Sequence, residues 1–77
     1  MPTVLEIEGF RFFFYSGDRG EPRHIHVRKG DAFAKFWLGP VSLCSSEGFR
    51  TNEITHLFRL VMGNEELLKE KWDEFFA

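Results

Sequence analysis

The residues of this chain best suited to chemistry lie in one short run, Glu21-Pro22-Arg23-His24-Ile25-His26-Val27-Arg28. His24 and His26 stand two positions apart, so on a β-strand both imidazoles project from the same face. Two chemistries use such a pair. His-x-His is a recurrent metal-ligand spacing, but a closed zinc site takes four protein ligands and a catalytic one three. Asp18, Glu21 or Asp31 would have to complete the shell, because the only other histidine is His56 and the single cysteine, Cys44, lies beyond the next strand. A dimer could instead supply two His24/His26 pairs across a two-fold axis. The second chemistry is RNA cleavage without metal. One imidazole, titrating near neutrality, would take a 2′-hydroxyl proton while Lys35 and Arg28 stabilise the charge of the phosphorane. The catalytic candidates on that reading are His24, His26, Lys35 and Tyr15.

Positioning these groups requires a hairpin, and the sequence supplies one. His24 to Arg28 alternates polar and apolar, Gly30-Asp31 is a turn pair, and Ala32 to Leu38 alternates again. A two-residue loop sets Lys29 opposite Ala32, Val27 opposite Ala34 and Ile25 opposite Phe36. On the other face it sets His24 near Trp37, His26 near Lys35 and Arg28 near Phe33. Upstream, Thr3–Ile7 and Phe10–Tyr15 form a second hairpin around Glu8-Gly9, with Ile7 facing Phe10, Leu5 facing Phe12, and Glu6 facing Arg11 as an ion pair. Leu5, Ile7, Phe10, Phe12 and Phe14 line one face of it, and Val4, Phe13 and Tyr15 the other. The non-core face of the whole sheet then carries Arg11, Phe13, Tyr15, His24, His26, Arg28, Phe33, Lys35 and Trp37. These nine residues are the candidate binding surface.

Residues 16–22, with two glycines and a proline, read as a loop leading into the histidines. Gly39-Pro40 breaks the strand before it, Val41–Cys44 reads as a short edge strand, and Ser45–Arg50 as a connector. Thr51 is a good helix N-cap. Ile54, Leu57, Phe58, Val61, Leu68, Trp72 and Phe75 then recur at three- and four-residue steps, with Glu65 the polar exception. The stripe holds its phase across Gly63-Asn64, which favours one long helix, kinked there, over two. The expected architecture is one α+β domain over 1–77, a twisted, mainly antiparallel sheet of four to five strands (1–44) with a long C-terminal helix (51–76) across one face. Its expected core is Leu5, Ile7, Phe12, Phe14, Ile25, Val27, Phe36, Leu57, Phe58, Val61, Leu68 and Trp72.

Composition narrows the function classes. A chain of 77 residues buries a limited share of its surface, and a lone cysteine rules out an internal disulfide. Ten Phe, two Trp and one Tyr supply apolar area instead, which implies a dense core, a subunit interface, or both. No apolar run approaches the ~20 residues of a membrane span, and no signal peptide is legible. With the lone thiol, this gives a cytoplasmic expectation. The net charge of −2 hides an asymmetry: residues 9–38 carry six Lys or Arg against three Asp or Glu, and residues 39–77 carry four against seven. The sheet is basic and the helical half acidic.

The run Phe12-Phe13-Phe14-Tyr15-Ser16, then Glu21-Pro22, His24-Ile25-His26-Val27, Ala34-Lys35-Phe36-Trp37-Leu38, Pro40-Val41, Trp72 and Phe75-Phe76 resembles the small bacterial family called domain of unknown function 4160. Glu-Pro-x-His-x-His-Val followed by Ala-Lys-x-Trp-Leu is its specific part. Arg23 stands where relatives usually have a second proline, and Met62-Gly63 where they have polar residues. The resemblance implies little chemistry. It does imply small cytoplasmic proteins often encoded beside a second short domain of unknown function, number 2442, an arrangement suggestive of toxin–antitoxin pairs.

Three uses of the non-core face follow as expectations. The first is protein–protein association, as a homodimer or with a second small protein, because exposed aromatics on a small sheet more often meet another subunit than a base. The second is binding or cleavage of RNA through the interleaved aromatic and basic side chains, against which the overall acidity counts. The third is a metal held by His24 and His26. No cofactor and no membrane are expected, and catalysis, if present, would be ribonuclease-like.

Overall fold

The structure is a computed structural model that describes residues 3–77. Five strands, β1 (Thr3–Ile7), β2 (Phe10–Phe13), β3 (His24–Lys29), β4 (Ala32–Trp37) and β5 (Ser42–Glu47), form one antiparallel sheet in chain order, followed by α1 (Thr51–Gly63) and α2 (Glu65–Phe75). This is the α+β sheet-and-helix architecture expected from the pattern. Among the described residues no helix is long and apolar enough to cross a membrane.

Both hairpins adopt the registers that their turns dictate. Glu8 and Gly9 take φ of 54° and 85°, two positive values as in a type I′ turn, and Ile7, Glu6 and Leu5 lie opposite Phe10, Arg11 and Phe12. Gly30 takes φ of 61° in the second turn, where Ile25 pairs with Phe36, Val27 with Ala34, His26 with Lys35 and Arg28 with Phe33. Glu6 and Arg11 are cross-strand neighbours, but the expected ion pair does not form. The Arg11 guanidinium instead donates to Thr3 Oγ1 at 3.2 Å.

The two edge strands depart most from expectation. In β1, Thr3 pairs with Phe13 and Leu5 with Phe12, leaving Val4 as a bulge residue. The extra residue turns Val4 toward the core, against which it packs, rather than onto the far face. β5 runs to Glu47, past the expected end at Cys44, because Ser45, Ser46 and Glu47 continue the ladder with Lys35, Ala34 and Phe33. Backbone pairing needs no apolar side chain, so this polar segment carried no strand signal. Cys44 is the bulge residue here, between Lys35–Ser45 and Phe36–Leu43. Bulges on both edges blunt the sheet against further strand pairing.

Residues 16–20 are more ordered than a loop and form a short 3-10 helix, Ser16–Gly20. α1 is capped at Arg50 rather than Thr51, and Glu53 Oε1 accepts the Arg50 N–H at 2.8 Å. The single long helix is resolved into two at Asn64, whose φ of −118° and ψ of 15° leave the helical region. Asn64 Nδ2 caps the Leu60 carbonyl at 2.8 Å, and the Asn64 carbonyl accepts the Leu68 N–H at 2.9 Å to begin α2.

The core comprises Phe10, Phe12, Phe14, Ile25, Val27, Ala34, Phe36 and Leu38 from the strand region with Leu57, Val61, Leu68 and Trp72 from the helices. Leu5, Ile7 and Phe58, expected at its centre, are half-buried at its rim. At the end of the stripe Phe75 is exposed, whereas Phe76 packs on Trp72 at 4.3 Å between ring centroids.

Candidate functional site

Three side chains converge at the start of β3. His24 and His26 share a face, as alternation requires, and their rings meet edge-on at 4.9 Å. Asp18 is brought to them by the 3-10 helix. Its N–H donates to the Tyr15 carbonyl at 3.0 Å, while its Oδ2 accepts the Tyr15 N–H at 2.9 Å, so a closed local ring aims the carboxylate. Asp18 Oδ2 lies 3.0 Å from His24 Nε2 and 3.0 Å from His26 Nε2. Of the three acids left open by the sequence, the structure selects Asp18. Glu21 is occupied with Lys35 at 2.6 Å, and Asp31 is exposed in the turn between β3 and β4.

Burial sets the electrostatics. Desolvation raises the Asp18 pKa, but the Tyr15 N–H and the positive charge available on His24 and His26 outweigh it and hold the carboxyl below its ordinary value. His26 moves below the ordinary imidazole value because burial disfavours its charged form more than Asp18 favours it. At neutral pH His26 is therefore uncharged and donates Nε2–H to Asp18. His24 is fully buried and engages the Pro22 carbonyl through Nδ1 at 2.9 Å; a carbonyl oxygen only accepts, so Nδ1 carries a proton. Its Nε2 has no hydrogen-bond partner, although Asp18 is 3.0 Å away, because the angles are wrong. Trp72 of α2 closes this side, 4.9 Å from the His24 ring.

Beyond His26 lies a cavity of about 190 Å³ lined by Phe13, Tyr15, His26, Arg28, Phe33 and Ala34. Phe13 stacks on His26 at 5.5 Å and meets Tyr15 edge-on at 5.2 Å, so the rings form a rigid corner. Arg28 lies at the same place, directly opposite Arg11 across β2 and β3. The Arg11 guanidinium sits 6.0 Å from the Phe13 ring centroid. Two like charges facing each other across a ladder destabilise it, and among the described residues neither forms a salt bridge.

Several site candidates are placed differently from expectation. Phe13 is 2% exposed and His24 is completely enclosed, so neither offers a ring to a ligand as part of an open binding surface. His24 is thereby also removed as a catalytic group reaching substrate. Lys35 is neutralised by Glu21 and lies over the Trp37 ring at 4.7 Å, away from the cavity. Of the four catalytic candidates, only Tyr15 and His26 line it. Tyr15, Arg28 and Phe33 remain exposed on this face. Asp18 was visible to the sequence only as one of three acids within reach, and what singles it out is the fold of its own turn.

The comparisons agree with the motif. The family model for a domain of unknown function, DUF4160, matches residues 9–73. The chain belongs to this family. The matched span contains the hairpin, the Asp18/His24/His26 cluster and most of both helices. No curated protein and no solved structure gives a match.

Proposed function

We propose that this DUF4160 domain binds the nucleotide units of single-stranded RNA in the cavity beside His26. The observation that carries this reading is the Arg11–Arg28 pair, two arginines without salt-bridge partners among the described residues that stand opposite each other in the ladder, Arg28 lining the aromatic corner and Arg11 beside the Phe13 ring. A phosphate between them removes the repulsion and gains charge-assisted hydrogen bonds, while Tyr15 and Phe33 offer exposed rings on which a base stacks. A broad protein–protein interface is less well supported. The sheet edges are bulged, and Phe13 and His24 lie beneath their neighbours, which leaves little contiguous apolar area on this face.

Fluorescence polarisation with a labelled single-stranded RNA oligonucleotide tests the reading. Binding should saturate and weaken with salt, with a slope of log K against log salt of about −0.7 for the one phosphate held between the two arginines. Arg11→Ala and Arg28→Ala should each flatten that slope, and Phe33→Ala should weaken binding by roughly 1–3 kcal/mol. Absence of saturable binding at low salt, or indifference to both arginines, would overturn it.

A further inference from the structure

We infer that Asp18, His24 and His26 form a binding site for one divalent first-row transition metal ion, distinct from the cavity, whose lining shares His26 but includes neither Asp18 nor His24. One carboxylate oxygen and one nitrogen from each imidazole lie within 4.8 Å of one another. The decisive atom is His24 Nε2, a fully buried nitrogen without a hydrogen-bond partner.

A buried polar atom left unmatched is costly, and native folds rarely keep one without a reason. Here the mismatch is worse than a missing bond. Because His24 gives its Nδ1–H to Pro22, a ring protonated there alone leaves an unmatched Nε2 lone pair only 3.0 Å from an anionic oxygen. Protonating Nε2 would not repair this, since the proton would point off the line to Asp18 and leave a buried cation poorly bonded. A metal cation between the three groups satisfies every lone pair at once.

Spacing and support agree. Tetrahedral bonds of about 2.1 Å put neighbouring donor atoms about 3.4 Å apart, and both imidazole Nε2 atoms stand 3.0 Å from Asp18 Oδ2, within a small side-chain adjustment of that spacing. Ligating histidines almost always donate their second ring nitrogen to a carbonyl or carboxylate, which fixes tautomer and direction; the Pro22 carbonyl does this for His24. The Tyr15 N–H holds the carboxylate in the same way. For His26, metal binding moves the ring proton from Nε2 to Nδ1, with no net loss of charge. Two imidazoles and one carboxylate select zinc, cobalt or iron over magnesium and calcium, which prefer oxygen ligands throughout. Three protein ligands leave coordination positions for solvent or a small ligand.

The test is a Co²⁺ titration of the full chain, followed by its visible d–d absorption, in a Cys44→Ser background because the Cys44 thiol is exposed. The expected result is saturation at one equivalent, displacement by Zn²⁺, and no displacement by millimolar Mg²⁺. Asp18→Asn and His26→Gln should each weaken Co²⁺ binding by at least ~100-fold, more than the loss of an orienting group costs. His56→Gln, a histidine bonded to Glu8 at 2.7 Å and remote from the cluster, should change nothing. Circular dichroism of each variant confirms that it is folded, and either of the first two substitutions suffices if the other is not. Arg11→Ala and Arg28→Ala should bind Co²⁺ like the unsubstituted chain, which separates this proposal from the RNA reading. No d–d band on the folded protein, a band that survives both Asp18→Asn and His26→Gln, or one lost with His56→Gln would overturn the assignment.

Discussion

Replacing Asp18 by Asn in the metal-free protein isolates what the carboxylate charge contributes. Asparagine keeps the shape and one carbonyl oxygen, so the acceptor for the Tyr15 N–H at 2.9 Å and for His26 Nε2–H at 3.0 Å is retained. What disappears is the charge assistance. A hydrogen bond to a charged group contributes roughly 1.5–3 kcal/mol and a neutral one roughly 0.5–1.5, so each of the two bonds loses about 1 kcal/mol. The expected destabilisation at pH 7 is about 2 kcal/mol, or a fall in Tm of roughly 10 °C for a chain of this size. Its pH dependence is fixed in sign. The Asp18 pKa is lowered in the fold: burial opposes this, and the Tyr15 N–H and the two imidazoles prevail. Its contribution is therefore complete above the unfolded carboxylate pKa of about 3.9 and is lost as pH falls through the folded value. Guanidinium unfolding in the presence of a chelator, followed by tryptophan fluorescence at pH 7 and at steps down to pH 2.5, measures both effects. Equal stability of the two proteins at pH 7, or a deficit that stays constant into acid, would refute the reasoning.

Other substitutions probe the frame around the cluster. Leu68→Ala, fully buried in α2, should cost about 2–5 kcal/mol in the same unfolding assay; a cost below 1 kcal/mol would mean that α2 is not packed as described. Gly63→Ala meets no atom within 4 Å, and Gly63 is the last residue of α1 with no left-handed φ, so it should stabilise by about 0.5 kcal/mol. Gly48→Ala should do the reverse and cost more than about 1 kcal/mol, because Gly48 holds a φ of 87° and its Cβ would stand 3.0 Å from Ala32 Cα. Arg23→Ala breaks the bidentate pair with Asp73, yet both side chains are about half exposed, so its effect should stay within about 1 kcal/mol and shrink in high salt.

The hairpins were legible because a strand's signal is local. Alternation fixes which face each residue takes, and Glu8-Gly9 and Gly30-Asp31 fix the register, so every pair expected between β3 and β4 is present. The helical stripe was legible for the same reason, down to Leu57, Val61, Leu68 and Trp72 at the core. The break at Asn64 was not, because the apolar phase runs through it unchanged while a side chain caps the preceding turn. Val4 and β5 were misread because bulges and backbone ladders leave no mark in a hydropathy pattern.

At the candidate site the sequence determined the residue types and one geometric fact, that His24 and His26 face the same way. The remainder was decided by the tertiary structure. Trp72, 48 positions after His24, encloses it against the sheet, and the 3-10 helix carries Asp18 to within 3.0 Å of both imidazoles. Arg11 and Arg28 become neighbours only because β2 and β3 pair. Burial and electrostatic strain depend on distances between residues far apart in the chain, and such distances exist only once the chain has folded.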